Sequence, residues 1–141
     1  METKEKNSIT VKVVVNAPID KVWLYWTAPQ HITQWCYASD DWHAPQAEND
    51  LRVGGKCKTT MAAKDGSMSF DFEGVYTAVR KNELIEYNII DGRKVKIVFT
   101  SDGAETKVVE TFDAENSNPV ELQRDGWQAI LNNFKKYVEQ N

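Results

Sequence analysis

The sequence predicts an α+β fold, in which a curved antiparallel sheet of six to seven strands wraps a long C-terminal helix. Two short helices are expected after the first strand. Apolar residues alternate with a period of two near the N-terminus and through the middle of the chain, which indicates strands. Asp-Gly and Gly-Gly turn signals separate the middle segments, and turns this tight join neighbouring antiparallel strands. The C-terminal segment instead has helical spacing.

The first third of the chain predicts one strand and two helices. Residues 8–16 alternate as a strand, and a helix follows to about Thr27. Pro29 interrupts this helix before a second short one at about residues 30–35. Residues 37–50 have no clean period, so we interpret them as a loop with at most a short edge strand.

The middle of the chain predicts a meander of five strands. Each is bounded by turn residues that tolerate a positive φ. The connections are too short to cross the sheet, so consecutive strands should pair. The predicted strands cover residues 56–63, 69–79, 84–90, 93–100 and 106–112.

The last element predicts a capped amphipathic helix. Asn118 suits the N-cap, Pro119 the first helical position and Glu121 the third, which is the spacing of a capping box. A broad apolar stripe then begins at Trp127. Gly126 precedes it at a cost of about 1 kcal/mol relative to alanine. We therefore expect another backbone, or a ligand, to approach the helix closely there.

This layout predicts an internal cavity. A sheet of six or seven strands is roughly 30 Å wide, whereas one helix with its side chains is about 10 Å across. The sheet must therefore curl around the helix, and curling leaves space at its wide end. Apolar spaces of this kind bind small ligands. A tightly packed solid core is the alternative.

The composition limits which kinds of partner the protein can bind. The net charge is −4, and no basic face is visible, so we expect no nucleic-acid partner. No apolar run is long enough for a membrane span. The N-terminus has no export signal, and the two cysteines fit a reducing compartment. We expect a monomeric cytoplasmic protein with one domain over residues 1–141.

Motifs for catalysis, metals and cofactors are absent from the sequence. No GxSxG, HExxH or phosphate loop occurs, and the two cysteines have no zinc-site spacing. We therefore expect no cofactor and no metal, and assign no catalytic residue. Whether the protein is an enzyme stays open, with a non-catalytic role favoured.

Glu110 is the one inward-facing carboxylate that the pattern predicts. It shares a strand face with Val108 and Phe112, so it points inward if they do. A buried carboxylate is costly unless paired, and desolvation should raise its pKa. Two interpretations stay open: Glu110 anchors a ligand hydroxyl or amine, or it makes a structural hydrogen bond to Tyr87 or Arg93.

The other candidates are mostly aromatic side chains. For those on inward strand faces the alternative role is core packing, and for those near the expected cavity mouth it is anchoring of the loop. Gly74 is expected to mark a bend of the sheet. The predicted ligand-binding residues are Trp35, Trp42, Phe70, Phe72, Tyr76, Tyr87, Ile97, Phe99, Glu110, Phe112, Trp127 and Leu131.

Five segments carry a resemblance to a known family. They read ITVKVVVNAPIDKVW, LRVGGKC, FEGVYTAVRKNELIEYNI, SDGAETKVVETF and NPVELQRDGWQAILNNF. Together they resemble the activator of heat-shock-protein-90 ATPase homologue family, within the SRPBCC (START-like) superfamily. The resemblance covers nearly the whole chain and implies the helix-grip fold, a cytosolic location and an internal hydrophobic pocket. It implies no single activity, because the superfamily hosts carriers, enzymes and co-chaperone modules.

Three functions follow as hypotheses. The leading one is binding of a small apolar molecule that is lipid-like, sterol-like or an aromatic polyketide. The second, implied by the resemblance alone, is a stress-linked module that contacts a chaperone. Since the first strand begins near Ser8, we expect no extra N-terminal domain, which argues against ATPase stimulation. The third is a cavity enzyme of cyclase or hydrolase type, for which Glu110 is the candidate acid or base.

Overall fold

The computed structural model describes residues 8–141, and its elements follow the predicted order. They are β1 (Ser8–Val15), α1 (Ile19–Thr27), α2 (Pro29–Trp35), β2 (Trp42–Asn49), β3 (Lys56–Ala63), β4 (Ser69–Arg80), β5 (Leu84–Ile89), β6 (Lys94–Asp102), β7 (Glu105–Asp113) and α3 (Val120–Gln140). Within these residues no helix combines the length and apolar character needed to cross a membrane.

The strands form one antiparallel sheet, which confirms the predicted α+β class. Its order is β1-β7-β6-β5-β4-β3-β2, so β2 to β7 are a meander and β1 pairs with the last strand. The sheet curls into a half-barrel. Its two edges lie against different helices, because α3 packs along β1 and α2 packs along β2. The space between the sheet and the three helices is where the core and the cavity lie.

Strand β2 takes up most of the segment that was expected to be a loop with at most a short edge strand. It is an eight-residue edge strand paired with β3, and its register shifts between His43 and Gln46. That irregularity hides the period of two in the sequence. Pro45 is tolerated because an edge strand has a ladder on one side only. Ala44 alone in this stretch is fully buried.

The N-terminus of α3 corrects the predicted capping box. Pro119 is the N-cap residue, and no side chain caps the helix. Asn118 instead donates a hydrogen bond to Glu115. Gln123 is buried and holds the preceding loop: its Oε1 accepts the Glu115 backbone N–H at 2.8 Å, and its Nε2 donates to the Asn118 carbonyl at 2.8 Å. The loop and helix are therefore joined by an amide side chain that the capping pattern did not predict.

Gly126 also differs from expectation. A Cβ built at this position meets nothing within 4 Å. Within residues 8–141 no backbone approaches the helix there, so the expected approach of another backbone is wrong, and the approach of a ligand stays a prediction.

An aromatic cluster joins the three helices above the sheet. The rings of Trp26, Trp35 and Phe134 lie with centroids 4.8 to 5.0 Å apart. Edge-to-face rings at this spacing contribute beyond their buried area. The cluster fixes how closely α3 approaches the sheet on this side.

Candidate functional site

A cavity of about 290 Å³ lies between the sheet and the helices and opens partly to solvent. It is the space that the width argument predicted. Strands β3, β4, β5 and β7 form its floor, and the helices cover it. The lining residues are Trp26, Ile32, Trp35, Cys36, Cys57, Thr59, Met61, Phe70, Phe72, Tyr76, Tyr87, Arg93, Glu110, Glu115, Trp127 and Ile130.

Most of the sequence-predicted candidates are on this wall. Those that line the cavity are Trp35, Phe70, Phe72, Tyr76, Tyr87, Glu110 and Trp127. They come from three strands, β4, β5 and β7, and from helices α2 and α3, and the fold brings them together. Their role in binding a ligand stays a prediction.

The remaining candidates lie elsewhere. Ile97, Phe99, Phe112 and Leu131 face inward as predicted but are packed in the core and do not reach the cavity. Trp42 lies outside the wall, with its ring 5.9 Å from that of Phe70. Alternation predicts which side of a strand faces the helix, but it does not tell which inward side chains meet empty space.

Strand β3 supplies wall residues that the sequence analysis missed. Cys57, Thr59 and Met61 alternate along it and all face the cavity. Their period of two was visible in the sequence, but none is aromatic, and the lining was predicted from aromatic residues. The helical contributors Trp26 and Ile130 were missed because their position depends on how the helices pack.

Trp127 and Trp35 are fixed walls of the cavity. The Trp127 ring stacks on Phe112, with centroids 3.8 Å apart and planes 12° apart, and meets the edge of Phe72 at 5.8 Å. The Trp35 indole N–H donates to the carbonyl of Tyr25 at 3.0 Å. Core residues such as Phe112 therefore position the rings that a ligand would touch.

Gly74 makes room for a wall residue. A Cβ built at Gly74 would lie 2.6 Å from Cδ2 of Tyr87 and 3.1 Å from the Asn88 carbonyl oxygen. The Tyr87 ring thus covers the glycine across the β4–β5 pair. The absence of a side chain at Gly74 permits this close approach. The expected bend is not marked by a register shift at Gly74, since the irregularity of the β4–β5 pairing lies between Tyr76 and Ala78.

Replacing Gly74 with alanine is expected to destabilise the protein by about 1–3 kcal/mol, because the Tyr87 ring must move or the strands must separate. Gly126→Ala is the matched control, and its new methyl group should stabilise α3 by about 1 kcal/mol. Urea unfolding of both variants measures the difference. Equal effects would contradict this assignment of the contact.

Glu110 is a buried carboxyl group with no hydrogen-bond partner in the part of the chain that the structure describes. Its side chain is 6% exposed, and it lines the cavity between the buried pairing partners Val11 and Ile97. Within residues 8–141 nothing donates a hydrogen bond to it, so the predicted bond to Tyr87 or Arg93 is not formed. Desolvation raises its pKa to about 8.

The other polar side chains on the wall either are compensated or stay protonated. Arg93 pairs with Asp91 at 2.9 Å and with Glu115 at 3.9 Å. Burial, and then the nearby Glu110, raises the pKa of the Cys36 thiol to about 12. Burial likewise raises the pKa of Cys57. Neither cysteine is therefore a thiolate nucleophile at neutral pH.

The curled antiparallel sheet, the long C-terminal helix and the cavity between them define the helix-grip, START-like class. The model of one family of this class, "Activator of Hsp90 ATPase homolog 1-like protein", matches residues 16–139. The chain belongs to this family, as the resemblance in the sequence indicated.

Solved structures of related proteins support the same assignment. An AHSA1-like protein from Aeromonas hydrophila is 43% identical, with a TM-score of 0.89 over 95% of this chain and 93% of that one. A protein from Cytophaga hutchinsonii is 63% identical, with a TM-score of 0.81 and the same coverage of each chain. A Chromobacterium violaceum protein at 22% identity and a TM-score of 0.85, over 96% of this chain and 99% of that one, shares the fold. No curated protein shows a significant match.

Proposed function

We propose that this protein binds a small apolar molecule in the cavity and acts as a carrier or sensor without turnover. The observation that carries the proposal is a space of about 290 Å³ walled by fixed aromatic rings. Apolar cavities hold water poorly and take up apolar ligands, and ligand sites are concave and mostly apolar with few polar groups.

The size and shape of the cavity favour a compact ligand. Its volume is at the lower end of the range of about 300–1,000 Å³ typical of small-molecule sites. Flat walls at Trp127 and Phe72 suit a planar ring system, because aromatic rings prefer stacked or edge-to-face contacts. Among the ligand classes considered, a small aromatic molecule therefore fits better than a long acyl chain or a sterol.

The alternative functions have narrower support. A chaperone partner rests on the family description, and a cyclase or hydrolase activity would rest on Glu110 as its acid or base, since the other carboxylate on the wall, Glu115, is paired with Arg93. A cytoplasmic location and a monomeric state stay predictions.

Titration with a naphthalene carrying a short alkyl chain, followed by amide NMR shifts, tests the proposal. We expect saturable shifts at Phe72, Tyr87 and Trp127. Trp127→Leu should weaken binding about tenfold, which corresponds to the loss of one ring contact. Trp23→Leu is the matched control, because Trp23 is buried but does not line the cavity, and its affinity should match that of the unmodified protein.

Two results would contradict the proposal. One is the absence of saturable shifts across a panel of compact aromatic and lipid-like probes while the spectrum remains that of a folded protein. The other is equal loss of affinity in the Trp127 and Trp23 variants, which would indicate general destabilisation rather than a cavity site.

A further inference from the structure

Two polar groups in the cavity have no hydrogen-bond partner among residues 8–141. Glu110 is 6% exposed, and no residue within 8–141 hydrogen-bonds to its carboxyl group. Tyr87 also lines the cavity, and its hydroxyl makes no hydrogen bond within the described chain. The neighbouring Tyr76 differs, since its hydroxyl donates to Asn49. Unpartnered polar groups in an apolar interior cost stability, and such a cost is typical of a binding site.

Both groups are hydrogen-bond donors at neutral pH. Burial raises the pKa of Glu110 to about 8, so the carboxyl is mostly protonated. A carboxylic acid kept neutral by an apolar site can donate a hydrogen bond. Burial, and then the nearby Glu110, raises the pKa of Tyr87 well above its usual value. The cavity therefore presents two uncharged O–H donors.

The remaining groups around Glu110 do not alter this arrangement. From β3 and β4 the thiol of Cys57 and the phenol of Tyr76 face the same space, and burial raises the pKa of each. The Cys36 thiol follows α2, and its pKa is about 12. Among residues 8–141, the charged pair on the wall is Arg93 with Glu115. The helices α1 and α3 contribute apolar rings and Ile130.

We propose that Glu110 and Tyr87 form a two-donor subsite, which selects an apolar ligand bearing one uncharged acceptor oxygen, such as a ketone or ester carbonyl. This inference rests on the proposed function and names the chemistry of its ligand. A carbonyl oxygen accepts two hydrogen bonds and carries no charge into the cavity. A protonated amine of the same shape would bind best to ionised Glu110. With a pKa of about 8 for Glu110, only about a tenth of the carboxyl groups are ionised at neutral pH, so the binding of the amine is about tenfold weaker than it would be to a fully ionised carboxylate.

Three naphthalenes of one shape test the subsite: one carries an acetyl group, one an isopropyl group and one a 1-aminoethyl group at the same ring position. The measured quantity is the affinity for the acetyl compound divided by the affinity for the isopropyl compound. A general change in cavity size alters both affinities alike and therefore leaves this ratio unchanged. It should fall about tenfold in Glu110→Leu and about tenfold in Tyr87→Phe, since each variant removes one donor. Glu110→Gln retains an N–H donor and should keep the ratio.

The pH dependence gives a second measurement. Between about pH 6 and about pH 9 the ratio should fall in the unmodified protein as Glu110 ionises, and stay constant in Glu110→Gln. Glu105→Gln, an exposed position on the same strand, should behave as the unmodified protein does. This comparison needs only the conservative variant, so it remains decisive if Glu110→Leu does not fold.

Two outcomes overturn the subsite: an unchanged ratio in both Glu110→Leu and Tyr87→Phe, or tighter binding of the amine than of the ketone at about pH 6. If none of the three probes binds at either pH, the proposed function fails and the subsite fails with it. If the isopropyl compound binds and the ratio does not respond to the variants, the cavity function stands and only the subsite is wrong.

Discussion

Replacing Glu110 with glutamine is expected to raise the stability of the protein at about pH 8.5 by several kcal/mol, with little change at about pH 5. Burial raises the pKa of Glu110 from 4.5 to about 8, so the folded state holds this proton more tightly than the unfolded state does. The resulting stability is fully present below pH 4.5 and is lost as the pH rises to about 8. The slope is about 1.4 kcal/mol per pH unit, or about 5 kcal/mol over the interval.

Urea unfolding at several pH values measures this effect. The free energy of unfolding of the unmodified protein should decline across the interval more steeply than that of Glu110→Gln, and the two curves should separate progressively from about pH 5 upward. Glu105→Gln is the control for loss of one negative charge on β7, where the side chain is exposed. Parallel curves for the unmodified protein and Glu110→Gln would show that the carboxyl is not desolvated.

Most of the fold could be predicted because local signals and packing agree. On β6 the inward residues Val95, Ile97 and Phe99 alternate without interruption, and tight turns fix each pairing. The same alternation placed Glu110 inside. Strand β2 could not be predicted in this way, because the register shift after His43 breaks the alternation on which the method depends.

The wall of the cavity was harder to predict than the fold. Which inward side chains meet empty space depends on the position of the helices above them. Ile97 and Leu131 are packed in the core, whereas Cys57 on β3 faces the cavity. That difference follows from contacts such as the one between Trp35 and Phe134, which join residues about a hundred positions apart and leave no local pattern.

Replacing Phe134 with alanine is expected to destabilise the protein by about 3–5 kcal/mol, the range for removing a fully buried aromatic side chain. Phe134 is 0% exposed, and its ring meets the faces or edges of Trp26 at 4.9 Å and Trp35 at 4.8 Å. The substitution removes the centre of the cluster that holds α3 against α1 and α2. Denaturant unfolding measures the loss.

Phe70→Ala is the matched control, since this phenylalanine also lies at the cavity but is 47% exposed. Its loss should cost less than about 1 kcal/mol. The two variants should also differ in their response to an apolar probe. Space released at Phe134 adjoins the cavity walls Trp26 and Trp35, so bound probe should recover more stability there than at Phe70. Equal destabilisation by the two substitutions would mean that the aromatic cluster does not hold the helices, and that the cavity owes its shape to the sheet alone.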